Sequence, residues 1–124
     1  MSQREIARTL KLNRKTVVRK FLFIAERERK RFVNHNRELP KALEVEFDDL
    51  ETFETTKCKP LSVTLLVEHR TRRILDFEVS QMPAKGRLAK IALKKYGYRK
   101  DERKQGRKTL FERSQKIISP TAIV

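Results

Sequence analysis

The chain is poor in the residues that commonly staple or interrupt small proteins, with one cysteine, three glycines and four prolines among 124 residues. The lone Cys58 excludes an internal disulfide framework, and with only His35 and His69 for company it lacks the paired spacing of a zinc site. Lys57 and Lys59 would favour its thiolate, but no histidine lies nearby in sequence, so the thiol is read as an incidental one in a turn. No apolar run approaches the roughly 18 residues of a membrane span, and the N-terminus lacks the apolar stretch of a secretory signal. These absences point to a reducing, intracellular setting. With 38% hydrophobic and 38% charged residues, the chain is very polar yet foldable. Its length allows one ordinary domain, or a small module plus part of a larger one.

Acid is also scarce, with 16 acidic residues against 31 basic ones and a net charge of +15. The imbalance is patterned. Residues 1–40 carry twelve basic and four acidic residues (net +8), residues 41–83 carry six and nine (net −3), and residues 84–124 carry thirteen and three (net +10). Basic flanks suit a polyanion, whereas an acidic centre repels one unless cations lie between. The pattern therefore suggests nucleic-acid binding around a metal-dependent site.

Ser2-Gln3-Arg4-Glu5 has the spacing of a capping box and predicts a helix start. Ile6, Ala7 and Leu10 recur at helical spacing, Leu12-Asn13 interrupts them, and Val17, Val18 and Phe21 begin a second series for which Asn13 is a plausible N-cap. Small Ala7 would let the two helices approach closely, with Leu10, Leu12 and Val17 filling the junction. The segment from Arg4 to Arg19 resembles the helix-turn-helix of site-specific recombinases, transposases and bacterial regulators. That resemblance places the second helix in the major groove, with Arg14, Lys15 and Thr16 reading bases and Arg19 and Lys20 gripping the backbone. The alternative is a solvated basic face on an unrelated helical hairpin. Such modules normally bury their helix pair against a preceding helix, so upstream sequence is expected to be missing. Phe21 to Arg31 contains no breaker. The expected organisation is a helix-turn-helix segment over 1–34, a polar linker over 35–40 closed by Pro40, and a second unit over 41–124.

In that second unit Leu43, Val45 and Phe47 alternate with Glu44, Glu46 and Asp48, the period of a half-buried strand with Asp48 on its polar face. Leu61, Val63, Leu65 and Val67 repeat the alternation, as do Leu75, Phe77 and Val79, with turns over 55–60 and 69–72. Three sequential antiparallel strands are expected. Helical stripes follow at Leu88, Ile91, Ala92 and Tyr96, then at Leu110, Phe111, Ser114, Ile117 and Ile118, separated by a linker from Gly97 to Arg107. Pro120 ends the second, and Thr121 to Val124 read as a strand beginning.

This order, with Asp48-Asp49-Leu50-Glu51-Thr52-Phe53, Cys58-Lys59-Pro60-Leu61-Ser62-Val63 and Arg73-Ile74-Leu75-Asp76-Phe77-Glu78-Val79, resembles bacterial insertion-sequence transposases with an Asp, Asp, Glu (DDE) active site on a ribonuclease H-like fold. The resemblance covers the chain from about Glu44 onward. It implies an α+β/α/β fold class, a nucleoid-associated cytoplasmic protein, transposon-end DNA as partner, and Asp48 as catalytic residue and ligand to Mg²⁺. Asp49 is read as solvated or supporting. Hard oxygen ligands suit Mg²⁺, and two metals about 4 Å apart stabilise the attacking and leaving oxygens of phosphoryl displacement. The family's second aspartate and its glutamate have no counterpart, since Asp101, Glu102 and Glu112 lack the required strand-end position. The expectation is a truncated, catalytically incomplete transposase. Without the strand that pairs beside the first one, an open edge would favour self-association or complementation by a missing C-terminal half. A salt-bridging acidic strand face is the structural alternative. Two functional alternatives remain: a non-enzymatic helix-turn-helix regulator or transposition inhibitor, and a basic RNA-binding protein.

Overall fold

The computed structural model describes residues 1–124, which form two units, Met1–Leu39 and Pro40–Val124. Four helices and a four-stranded mixed sheet place the protein in the α+β class.

The first unit is a pair of helices, α1 (Gln3–Thr9) and α2 (Arg14–Glu38). Local chemistry sets their ends. Ser2 Oγ accepts the Glu5 N–H while the Glu5 carboxylate accepts the Ser2 N–H, a complete capping box. At the other end, the Leu12 N–H reaches Ala7 O at 2.9 Å and the Lys11 N–H reaches Arg8 O at 3.2 Å. Lys11 takes φ +52°, so a lysine occupies the left-handed position that glycine usually fills in this motif. Asn13 Oδ1 then accepts the Lys15 N–H and starts α2. Ala7 and Val17 are buried where the helices meet, but Leu10 and Leu12 are about half exposed rather than filling the junction. Two short turns offer too little surface to cover them. Helix α2 also continues to Glu38, through most of the segment expected as a linker, because no proline or glycine precedes Pro40.

The second unit contains β1 (Ala42–Phe53), β2 (Pro60–Glu68), β3 (Ile74–Gln81), α3 (Arg87–Tyr96), α4 (Arg103–Ser114) and β4 (Ile118–Ile123). The strand order is β3-β2-β1-β4, with β1–β2 and β2–β3 antiparallel and β4 parallel to β1. The expected meander is present. On β1, Val45 and Phe47 face the core and Asp48 faces away, as expected, whereas the facing of Leu43 and of much of β2 and β3 differs.

On β1, Ala42 is buried and Leu43 is 64% exposed, because the register shifts between Ala42 and Glu44 where β4 joins. On β2, Ser62, Thr64 and Leu66 point under α4, and the more apolar set of Leu61, Val63, Leu65 and Val67 lies on the other face. A bulge between Leu66 and Val67 lets consecutive β3 residues, Leu75 and Asp76, both be buried. Ala42, Val45, Leu66, Leu75, Leu110 and Ile117 form the core, and Phe47 packs on it with its ring 4.2 Å from that of Phe111. Burying Leu66 or Leu110 contributes about 1.5–3 kcal/mol each.

Helix α4 starts at Arg103 and stops at Ser114, earlier at both ends than the apolar stripe suggested. Its Gly106 lies so close to β3 that a Cβ there would collide with Ser80 Oγ. Ile117 leaves the helix in a turn and Ile118 begins β4, which includes Pro120. The edge of β1 is therefore partly covered, since β4 pairs at Ala42 and Glu44 and no strand pairs beyond on that side.

Candidate nucleic-acid interface and carboxylate cluster

The basic residues singled out at the start of α2 are all on the surface. Arg14, Lys15, Thr16, Arg19 and Lys20 are exposed around the first two turns, whereas Val17 is buried against α1. Thr16, Arg19 and Lys20 share one face by their three- and four-residue spacing. The first acid on the helix is Glu26, so the first two turns carry four positive charges with no intrahelical counter-charge. Free amides at a helix start add to that positive field. The arrangement can accept a polyanion along one face without first breaking an ion pair.

The acidic strand divides its carboxylates between two faces. Asp48 is exposed, pairs across the sheet with Leu65, and accepts the Asp49 N–H through Oδ1 at 2.8 Å. Asp49 points the opposite way, beneath α4. There Thr64 Oγ1 donates to its Oδ1 at 2.5 Å, and the Arg107 guanidinium donates to its Oδ2. The Thr64 hydrogen bond holds the Asp49 carboxyl below its usual range, with Arg107 assisting and desolvation opposing. On the Asp48 face, Glu46 receives His69 Nδ1 at 2.5 Å and Arg72 at 2.8 Å, and the hydrogen bond from His69 lowers its carboxyl.

Thr64, Arg107 and Arg113 escaped the sequence reading. Arg113 bridges α4 to β3, donating to Asp76 at 2.6 Å, to Glu78 at 2.9 Å and to Phe77 O at 2.8 Å. Asp76 is nearly enclosed, with its side chain 6% exposed. The available signal was a pair of acids two apart on each of two strands, Asp49 and Glu51 on β1 and Asp76 and Glu78 on β3. Two-residue spacing places each pair on one face, opposite an arginine-rich helix.

For the Mg²⁺ implied by the resemblance, the donors fit poorly. No three histidine, cysteine or acidic side chains are grouped to hold an ion. Asp48 offers one hard oxygen ligand, while its neighbour is turned away and occupied by Thr64 and Arg107. A two-metal cage needs further free carboxylates on the Asp48 side, where Glu46 is engaged by His69 and Arg72. No helix is long and apolar enough to cross a membrane. No family model, curated protein or solved structure matches the chain.

Proposed function

We propose that this chain is a transposase-derived DNA-binding protein in which α1 and α2 act as a helix-turn-helix and residues 40–124 are the opening part of a ribonuclease H-like domain. The observation that carries the reading is the start of α2: Arg14, Lys15, Thr16, Arg19 and Lys20 exposed, unopposed by acid, and backed by a capped turn that orients the helix. On this reading Arg14, Lys15 and Thr16 contact base edges of transposon-end DNA, while Arg19 and Lys20 contact phosphate. The strand order β3-β2-β1-β4, with a helical crossover before a parallel β4, supports the ribonuclease H-like half of the proposal.

In these 124 residues Asp48 is a single prospective Mg²⁺ ligand. DNA cleavage and strand transfer would need acids supplied from elsewhere, by a longer chain or by a complementing one pairing on the β1 edge. The divergence of Asp48 and Asp49 favours, as a second reading, a non-enzymatic helix-turn-helix regulator or transposition inhibitor.

Selection from a random duplex library should enrich a preferred sequence. Arg14→Glu with Lys15→Glu should weaken binding to that sequence by about 1–3 kcal/mol for each side chain that grips a base in bidentate fashion. Equal binding by the variant would overturn the helix-turn-helix assignment and favour a general RNA-binding role. Mg²⁺-dependent cleavage by the 124-residue chain, abolished by Asp48→Ala, would overturn the view that its active site is incomplete.

A further inference from the structure

From Pro83 to Lys100 the chain holds seven basic residues and no acid. Lys85 is paired with Glu51 and Arg99 with Glu54, while the other five have no carboxylate partner. Aromatic rings stand among these charges where α3 ends. The Tyr96 ring carries two ammoniums, Lys59 Nζ at 4.9 Å and Lys95 Nζ at 5.4 Å from its centroid. Tyr98 is 84% exposed.

Its protrusion is built in on both sides. Gly97, at φ +79°, caps α3 through its N–H to Leu93 O and ends the helix. Arg99 anchors the next residue by donating to Met82 O at 3.2 Å and Pro60 O at 3.3 Å. Tyr98 thus lies between a backbone helix cap and a side-chain anchor, which limits the conformational entropy sacrificed when something stacks on it. An apolar cavity of about 180 Å³ adjoins it, bounded by Cys58, Ala92, Tyr96 and Tyr98 among others.

We propose that the end of α3 and the turn to Lys100 form a second nucleic-acid contact, separate from α2, in which an unpaired nucleobase stacks on Tyr98 and flanking phosphates meet Lys94, Lys95 and Lys100. An exposed ring with Lys94 and Lys95 before it and Lys100 after it in the chain suits the alternation of base and phosphate along one strand. A lipid surface would instead ask for a continuous apolar helix face. Here the exposed Ile91 and Leu93 are two residues apart and diverge around α3, and Ala92 between them is buried.

The test uses the full chain carrying Arg14→Glu and Lys15→Glu, so that α2 does not mask the site, with fluorescein-labelled oligothymidylate followed by anisotropy. Binding should persist in that background. Tyr98→Ala should weaken it about tenfold and Tyr98→Phe by less than about twofold. Replacing Lys94, Lys95 and Lys100 with alanine should flatten the slope of log affinity against log salt by about 2. An unchanged thermal melt confirms that each surface variant folds. Loss of all oligothymidylate binding in the background, or Tyr98→Ala binding as tightly as its parent, overturns the proposal. So does Tyr98-dependent binding to phosphatidylserine vesicles that oligothymidylate does not displace.

Discussion

The helical pair buries only Ala7 and Val17 among its hydrophobic residues, whereas the sheet unit closes Ala42, Val45, Leu66, Leu75, Leu110 and Ile117 into one cluster. The two units hold their shape by different means. In the first, side chains within three residues of each helix start satisfy the backbone groups there, so geometry is set at short range and little apolar area supports it. In the second, α4 is held to strands far away in sequence by packing and by the Arg107–Asp49 and Arg113–Asp76 pairs. A binding element that can be moved between scaffolds suits the first strategy. A carboxylate that must face one way suits the second.

The contrast predicts a hierarchy of effects. Leu110→Ala removes a fully buried core side chain and should cost the sheet unit about 2–5 kcal/mol, measured by denaturant melts, with the capped turn of α1 and α2 unaffected by NMR. Arg113→Ala deprives the enclosed Asp76 of this partner and should cost about 1–3 kcal/mol, again confined to the sheet. Equal loss of amide protection in both units would break the distinction. In the helical pair, Lys11→Gly relieves a left-handed lysine and should stabilise by about 1 kcal/mol, while Asn13→Ala removes a cap and should destabilise by about 1 kcal/mol, both read from helix melting by circular dichroism.

Acid sharpens the comparison further. Asp101 is held down to about 2, chiefly by hydrogen bonding from Arg103, and Asp49 is lowered by Thr64 and then Arg107. Carboxylates depressed in the folded state contribute stability that is present above their unfolded values near 4 and lost as pH falls through the folded ones. The sheet unit should therefore lose stability between about pH 4 and about 2. In the helical pair Glu5 is lowered by the Ser2 backbone and hydroxyl, a single local contact, so a smaller acid sensitivity is expected there. Thermal melts of both units across that interval measure the difference.

Much of the fold was legible because its causes are local. Ser2, Glu5 and Asn13 announce helix starts since the groups they satisfy lie within three residues. The three-stranded meander follows from alternation and from turns between Phe53 and Pro60 and between Glu68 and Ile74. Facing was less legible. Leu65 and Leu66 are adjacent and equally apolar, so alternation on β2 could be counted either way until α4 covered Ser62, Thr64 and Leu66. The start of α4 was hidden by a polar run containing Gly106, a residue disfavoured in helices that is required here by close approach to Ser80.

The amino-acid order by itself determined the charge blocks, the capped helix starts, the exposed basic turns of α2 and the existence of three paired strands, because these depend on composition or on neighbours a few bonds away. Only the tertiary structure decided that Asp49 is locked to Thr64 and Arg107, that β4 covers just the beginning of β1, and that Tyr98 stands clear of the surface. Those outcomes depend on which face a distant helix covers, where a bulge falls and where a chain is anchored. They are long-range choices that no local pattern encodes.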